Sequence, residues 1–150
     1  MYHKNQFIIQ KMTSRHISRV LEIERESYHT PWSETAFKNQ IMSNYSLAIV
    51  AMSKGTVVGY LVAWIVVDQV HIANIAVDLG YRRCGIGTQL MKWLISEAIQ
   101  ENCISSTLEV RKSNQAALIM YKQLGYRSIA TRKLFYSNPE EDALVMIKTL

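Results

Sequence analysis

The period of the apolar positions changes several times along the chain. "FIIQKM" (Phe7–Met12) predicts a short first strand. Beyond Thr13 and Ser14, which suit a helix start, Ile17, Val20, Leu21 and Glu24 fall at helical spacing. Pro31 disfavours helix in the residue before it, so "YHTPWSE" ends that element, and Ser33 can cap a second short helix carrying Ala36, Phe37 and Ile41. "SLAIVAM", a turn at "SKGT", the apolar run "VVGYLVAWIVV" (Val57–Val67) and "QVHIANIAV" read as a three-strand antiparallel meander. The middle run is rich in β-branched residues, which predicts a strand buried on both faces.

After Gly87 the period lengthens, with Leu90, Met91, Leu94, Ile95 and Ala98 on one helical face. "STLEV" is a further strand. Asn114 caps a helix that turns Ala117, Leu118, Tyr121 and Leu124 inward, and Gly125 stands where a left-handed C-terminal cap belongs. "RSIATRKLFY" and "DALVMIKTL" form a last antiparallel pair. The predicted order, β-α-α-β-β-β-α-β-α-β-β, gives an α/β protein of mixed, α+β character: one mixed sheet with helices packed on it.

At 150 residues the chain makes a single domain, 1–150. Apolar residues are 49% and charged residues 19%, the balance of a folded globular chain. The longest apolar run is too short to span a bilayer, and "MYHKNQFIIQKM" lacks the apolar core and cleavage site of a signal peptide, so a cytoplasmic location without membrane contact is expected. Cys84 and Cys103 have no metal-ligand spacing, and none of His3, His16, His29 and His71 stands in a recognisable relation to either; free thiols and no metal are expected. The net charge of +5 suits phosphorylated ligands, nucleic acid or acidic surfaces alike, but its lysines and arginines are scattered as on a solvated face.

The most informative stretch is "YRRCGIGTQL" (Tyr81–Leu90). Two glycines let consecutive N–H groups converge, the helix that follows adds its own unpaired N–H groups, and Arg82 and Arg83 supply charge. Such a nest suits a phosphate; a tight turn with two surface arginines accounts for the same residues. Spacing excludes a P-loop, because no "GK[ST]" exists. It also disfavours a dinucleotide turn: the third glycine is replaced by Leu90, and "DLGYRRC" separates the strand from Gly85.

"NIAVDLGYRRCGIGTQLMKWLISEA" resembles the signature of the GCN5-related N-acetyltransferases (GNAT): a strand, an Arg-x-Gly-x-Gly-type loop, then a helix. "TPWSETAF", "LEVRKSNQAALIMYKQLGY", "RKLFY" and "PEEDALVM" resemble, in order, segments of the ribosomal-protein alanine N-acetyltransferases (RimI-like) within that superfamily. The resemblance covers nearly the whole chain. It implies a mostly antiparallel sheet with a splayed central strand pair and helices on both faces. It implies acetyl-coenzyme A (acetyl-CoA) as co-substrate and a protein N-terminus as acceptor, in that subfamily the N-terminal alanine of small-subunit ribosomal protein eighteen. Another peptide N-terminus, a lysine or a small amine is the alternative acceptor. A non-catalytic RNA- or ribosome-binding module is the rival from another class, and it leaves the loop glycines and the Glu109–Tyr121 spacing unexplained; no direct contact with nucleic acid is required, and a monomer or weak oligomer is expected.

The resemblance also implies site residues. Ile75, Ala76 and Val77 offer backbone groups to the cofactor arm, with the Val77 N–H towards the thioester oxygen. Arg82, Arg83, Cys84, Gly85, Ile86, Gly87 and Thr88 form the pyrophosphate loop, and Asn114 contacts the cofactor arm as well as capping its helix. Glu109, in "LEVR", is the implied base; without the resemblance, a strand glutamate paired with Arg111 is the simpler account. A modest base suffices for an N-terminal amine, since at pH 7 about a tenth of such amines are neutral, against well under a thousandth of lysine amines. Tyr121 is the implied acid for the departing thiolate; a tyrosine packed on the apolar helix face is its bland counterpart. Trp32 and Tyr136 lie in loops that resemble the two closing over the peptide, Trp32 serving equally well as a packing residue. Two departures stand out: Leu79-Gly80 replaces the common proline after "VD", and Phe135 replaces the first of a common tyrosine pair.

Overall fold

The computed structural model describes residues 7–150; His3 and the first part of the N-terminal stretch lie outside them. Strand β1 (Ile8–Lys11) leads into a 3-10 turn (Ser14–His16) and helix α1 (Ile17–Ser27), followed by α2 (Glu34–Met42). The helix begins three residues later than Ser14 because the His16 ring folds back, its Nδ1 accepting from the Thr13 N–H at 2.9 Å. Ser33 caps α2 as its sequence predicts, accepting from the Ala36 N–H at 3.1 Å.

Strands β2 (Ser46–Ser53), β3 (Thr56–Val66) and β4 (Gln69–Val77) form the expected meander. Val67 is not part of β3; it takes φ +58 in the turn to β4 and is 90% exposed. Helix α3 (Ile86–Gln100), β5 (Ser105–Arg111), α4 (Gln115–Gln123), β6 (Arg127–Tyr136) and β7 (Glu141–Thr149) complete the chain. The seven strands form one sheet in the order β1-β2-β3-β4-β5-β7-β6, antiparallel except between β4 and β5. This is the mixed, mostly antiparallel sheet expected from the sequence. Gly125, at φ +96, ends α4 in the left-handed region.

Both faces of the sheet are covered. Leu61, Ala63, Val70, Ile72 and Leu108 pack under Leu90, Met91 and Leu94 of α3, with Leu118 and Tyr121 of α4 beside them. Val50, Tyr60 and Val62 pack under Val20 and Ile23 of α1 and Phe37 of α2 on the other face. Alternate residues of β3 therefore feed two cores, which is why its sequence reads as an unbroken apolar run.

One irregularity positions everything that follows. Between β3 and β4 the register runs Val62↔Asn74 and then Ala63↔Ile72, so Ala73 is an extra residue in β4. Such a bulge bends and twists its strand. It also resets which face each side chain takes. Val70 and Ile72 face α3, whereas Ala76, an even number of residues on, packs in the α1 core. The parallel pairing of β4 with β5 runs from Gln69↔Ser105 to Ile72↔Leu108 and stops there, directly before the bulge. Beyond it the two strands part, as the splayed central pair requires.

Candidate active site

The parted strands leave a cleft of about 550 Å³ that joins the two faces of the sheet. Ile75 of β4 and Glu109 and Arg111 of β5 line it, together with Tyr28 and Trp32 from the α1–α2 loop, Asn114 and Tyr121 at α4, and Tyr136 at the end of β6. Residues dispersed over more than a hundred positions of sequence thus meet in one space.

On β4, the Asp78 N–H bonds Val58 O at 2.9 Å, one step beyond the pair Gly59↔Val77. That parity turns the backbone groups of Ala76 towards its partner Tyr60, and those of Ile75 and Val77 away from β3 into the gap. Of the three residues named from the sequence, Ala76 therefore has no backbone group to offer the cleft. Tyr28 Oη donates to the Ile75 carbonyl and Arg82 Nε donates to the Val77 carbonyl at 3.3 Å. The N–H groups of Ile75 and Val77 share that side.

Past β4, Asp78 ties down the turn Leu79–Tyr81. Its Oδ1 accepts from the Gly80 N–H at 2.7 Å and its Oδ2 receives Arg19 from α1. These bonds fix the turn that a proline would otherwise restrict. Arg83 at φ +62 and Gly85 at φ +81 then reverse the chain into α3. Gln89 is the first α3 residue whose N–H bonds back along the chain, to Gly85 O at 3.0 Å, so the N–H groups of Ile86, Gly87 and Thr88 are those a helix start leaves unpaired. A methyl group on Gly85 would meet no atom within 4 Å, and Arg82 and Arg83 are exposed beside it. This donor-lined, positively flanked hollow fits a pyrophosphate. The Ile86 side chain is buried in the core, and Gly87 lies under Met120 of α4, so both reach the hollow through their N–H groups. Cys84 is half-buried and a free thiol, its Sγ 3.5 Å from the Arg82 carbonyl; Cys103 is buried.

Glu109 stands on the α1 face of β5 with its side chain 14% exposed. It does not pair with Arg111. Its Oε2 is 3.0 Å from His71 Nε2 and its Oε1 is 3.7 Å from an Arg132 nitrogen. Arg111 instead grips the β6–β7 loop: it donates to the carbonyls of Pro139 at 2.9 Å and Ser137 at 3.0 Å, pairs with Glu141 at 3.2 Å, and lies 4.4 Å over the Tyr136 ring. Burial, with the Glu109 charge next, pushes the Tyr136 hydroxyl up to about 12.

Tyr121 reaches the cleft from the α4 face and is 4% exposed. Burial, reinforced by Tyr28, Tyr126 and Tyr136, raises its hydroxyl far above the usual tyrosine range. It is a neutral proton holder throughout the physiological range. Asn114 caps α4, its Oδ1 accepting from the Ala117 N–H at 3.2 Å. Trp32 packs its ring on Phe37 with centroids 5.3 Å apart and also lines the cleft.

Three contributors are not legible from the sequence alone. Glu24, 1% exposed, accepts from Tyr60 Oη, from Asn74 Nδ2 at 2.9 Å and from the Trp32 N–H at 2.9 Å, and so holds the α1–α2 loop against the bulge. Tyr28 and His71 are the others. The one available signal was a carboxylate at a core position of α1, which demands partners. Among the described residues, no group of three or more His, Cys, Asp and Glu is placed to hold a metal. No helix among them is long and apolar enough to cross a membrane.

A sheet parted beside a donor-rich helix start, with a carboxylate and a neutral tyrosine lining one cleft, makes a site suited to an extended anionic ligand. Residues 17–126 match the acetyltransferase (GNAT) family. The chain is 31% identical to the [ribosomal protein bS18]-alanine N-acetyltransferase of Escherichia coli (strain K12), over 92% of this chain and 94% of that one. The crystal structure of the ribosomal-protein-S18-alanine N-acetyltransferase from Escherichia coli superposes with a TM-score of 0.89 at 29% identity, covering 96% of this chain and 94% of that chain. The fold is shared as well by Arabidopsis thaliana NAA60 in complex with acetyl-CoA, at a TM-score of 0.87 and 17% identity, over 97% and 99% of the two chains. The protein belongs to the acetyltransferase (GNAT) family and is an N-acetyltransferase.

Proposed function

We propose that this enzyme moves an acetyl group from acetyl-CoA to the α-amine of a protein N-terminus, and that its acceptor is the N-terminal alanine of ribosomal protein bS18, as in the relatives named for that substrate. One observation carries the reading: the gap between β4 and β5 brings Glu109 and Tyr121 into a single cleft whose walls include Trp32 and Tyr136. Acetyl-CoA supplies the activated acyl group. Ile86, Gly87 and Thr88 hold its pyrophosphate through their N–H groups, flanked by Arg82 and Arg83. The N–H groups of Ile75 and Val77 offer fixed donors along the gap, the Val77 donor serving the oxygen on which charge develops. Glu109 takes a proton from the acceptor amine, directly or through water, and Tyr121 returns one to the departing sulfur. The same burial that raises the Tyr121 hydroxyl penalises a thiolate beside it, so the two shifts offset each other in part. Trp32 and Tyr136 flank the incoming chain.

The test is thiol release with two short peptides: one with a free Ala-Arg N-terminus, the other blocked there but carrying an internal lysine. Turnover on the free N-terminus alone, abolished by Glu109→Gln, is expected. Turnover on the blocked peptide moves the acceptor to side-chain amines, and turnover on neither removes the support for a peptide substrate.

A further inference from the structure

Acetylation of an amine at neutral pH releases a proton. About nine tenths of α-amines enter as ammonium at pH 7. That nitrogen gives up two protons as its new N–C bond forms and the C–S bond breaks; one replaces the proton Tyr121 gives the sulfur, and one leaves the protein. Glu109 takes it first and must be rid of it before the next turnover. The cleft around Glu109 is filled at that moment by the acetylated product, so an exit that avoids the cleft has value.

Glu109 has two partners, and they differ in kind. Arg132 keeps its charge at any relevant pH and cannot accept a proton. His71 can, and imidazole exchanges protons readily near neutrality. Its Nε2 lies 3.0 Å from Glu109 Oε2 and its Nδ1 lies 3.0 Å from Thr107 Oγ1. The threonine hydroxyl can donate to Nδ1 or accept from it, so both the neutral and the protonated ring keep two hydrogen bonds. Trp64 stacks on the ring with centroids 5.9 Å apart, and its own Nε1 is held by Gln40 Oε1 at 2.7 Å. His71 sits in the last stretch where β4 still pairs with β5, opposite Thr107, at the closed end of the gap. It does not line the cleft, yet its side chain is 30% exposed. That exposed part lies outside the residues that line the cleft.

We propose that His71 carries the proton from Glu109 to solvent at the closed end of the strand gap, with Thr107 as the hydroxyl that accepts from Nδ1–H and so leaves Nε2 free to take the proton. The ring that accepts is the neutral Nδ1–H form, its Nδ1–H donating to Thr107 Oγ1; the proton passes from the Glu109 carboxyl to the free Nε2, and the imidazolium gives that proton to water or buffer. His71 touches no substrate and acts through Glu109. The inference rests on the reading of Glu109 as the base.

The experiment compares wild type with Glu109→Gln, His71→Gln and Thr107→Val on the free N-terminal peptide, with and without tens of millimolar imidazole. His71→Gln keeps a donor for Glu109 but cannot relay a proton; its kcat is expected to fall about tenfold, with both KM values within about twofold and most of the loss restored by imidazole. Thr107→Val is expected to fall less. Independently of turnover, long-range 1H–15N spectra of the free enzyme should show His71 ring-nitrogen shifts that change in Glu109→Gln. Loss of activity in Glu109→Gln together with wild-type turnover in His71→Gln overturns the relay and leaves the base in place. A slow His71→Gln that imidazole does not rescue, or a ring whose shifts ignore Glu109→Gln, reduces His71 to support and overturns it too. Full activity in Glu109→Gln removes the base reading itself, and the relay with it.

Discussion

Replacing Glu24 by glutamine tests how the substrate-side loop is held. Glu24 Oε1 accepts from Tyr60 Oη and Asn74 Nδ2, and Oε2 accepts from the Trp32 N–H. All three partners are neutral donors. Glutamine offers one oxygen and an amide that only donates, so whichever way it turns, its NH₂ faces a donor. Keeping the oxygen on the Tyr60 and Asn74 side is the lesser evil. It loses one charge-assisted bond, about 1.5–3 kcal/mol, and leaves two buried N–H groups opposed, about 1–3 kcal/mol more. The expected cost is about 2.5–6 kcal/mol, or a Tm lower by roughly 5–24 °C for a domain of this length. Urea unfolding followed by tryptophan fluorescence measures it, with an unchanged m-value as the check that both states are comparable. Because the bond that breaks anchors the Trp32 backbone, the acceptor KM should rise more than that for acetyl-CoA. A loss below 1 kcal/mol would show that the Glu24 network relaxes freely, and would refute its role as the anchor of that loop.

Gly85→Ala meets no steric obstacle, so its stability cost is the left-handed backbone alone, about 1–2 kcal/mol. Its methyl group projects into the hollow assigned to pyrophosphate, so calorimetry should show acetyl-CoA affinity falling by more than about tenfold; an unchanged Kd contradicts that assignment. Tyr121→Phe should lower kcat by about a hundredfold with both KM values within about threefold, measured by thiol release; a kcat within a factor of two makes the tyrosine a packing residue. Burial raises the hydroxyls of Tyr28, Tyr60, Tyr121, Tyr126 and Tyr136, so the folded chain keeps protons that the unfolded chain gives up above pH 10. Stability is therefore intact below pH 10 and lost above it, by at most about 1.4 kcal/mol per pH unit for each tyrosine, as urea midpoints from pH 9 to 11 should record.

The sequence is most legible where the physics is local. Period, caps and breakers placed all seven strands and four helices in order, and set β4 and β6 at their observed ends. The N–H hollow was readable too, because its glycines, arginines and helix start are neighbours in the chain. Partnerships across the sheet were not readable. Arg111, two residues along the same strand, was the natural partner for Glu109, but Arg111 reaches across to Glu141 on β7, and Glu109 finds His71 on β4 and Arg132 on β6. Which of these meets Glu109 depends on the register of strands nearly forty residues apart, and nothing within either strand encodes it. Glu24 shows the same limit from the other side: helical spacing put it in the core, but its three partners come from the α1–α2 loop, β3 and β4.

The Ala73 bulge joins these observations into one cause. Without it, β4 would keep its parity beyond Ile72 and could continue its pairing along β5, closing the gap in which the candidate site lies. With it, Ala73 and Asn74 take the α1 face in succession, and Asn74 is turned to Glu24, which fixes the loop carrying Trp32. The residues beyond the bulge present Ile75 and Val77 to the gap. The residues before it hold His71 in register with Thr107, one step short of the parting, which is the position that reaches both Glu109 and solvent. A single inserted residue thus separates a paired half of the strand, suited to passing a proton out, from a parted half, suited to binding. No hydrophobic pattern announces it, since alanine fits either face, and the register alone reveals it.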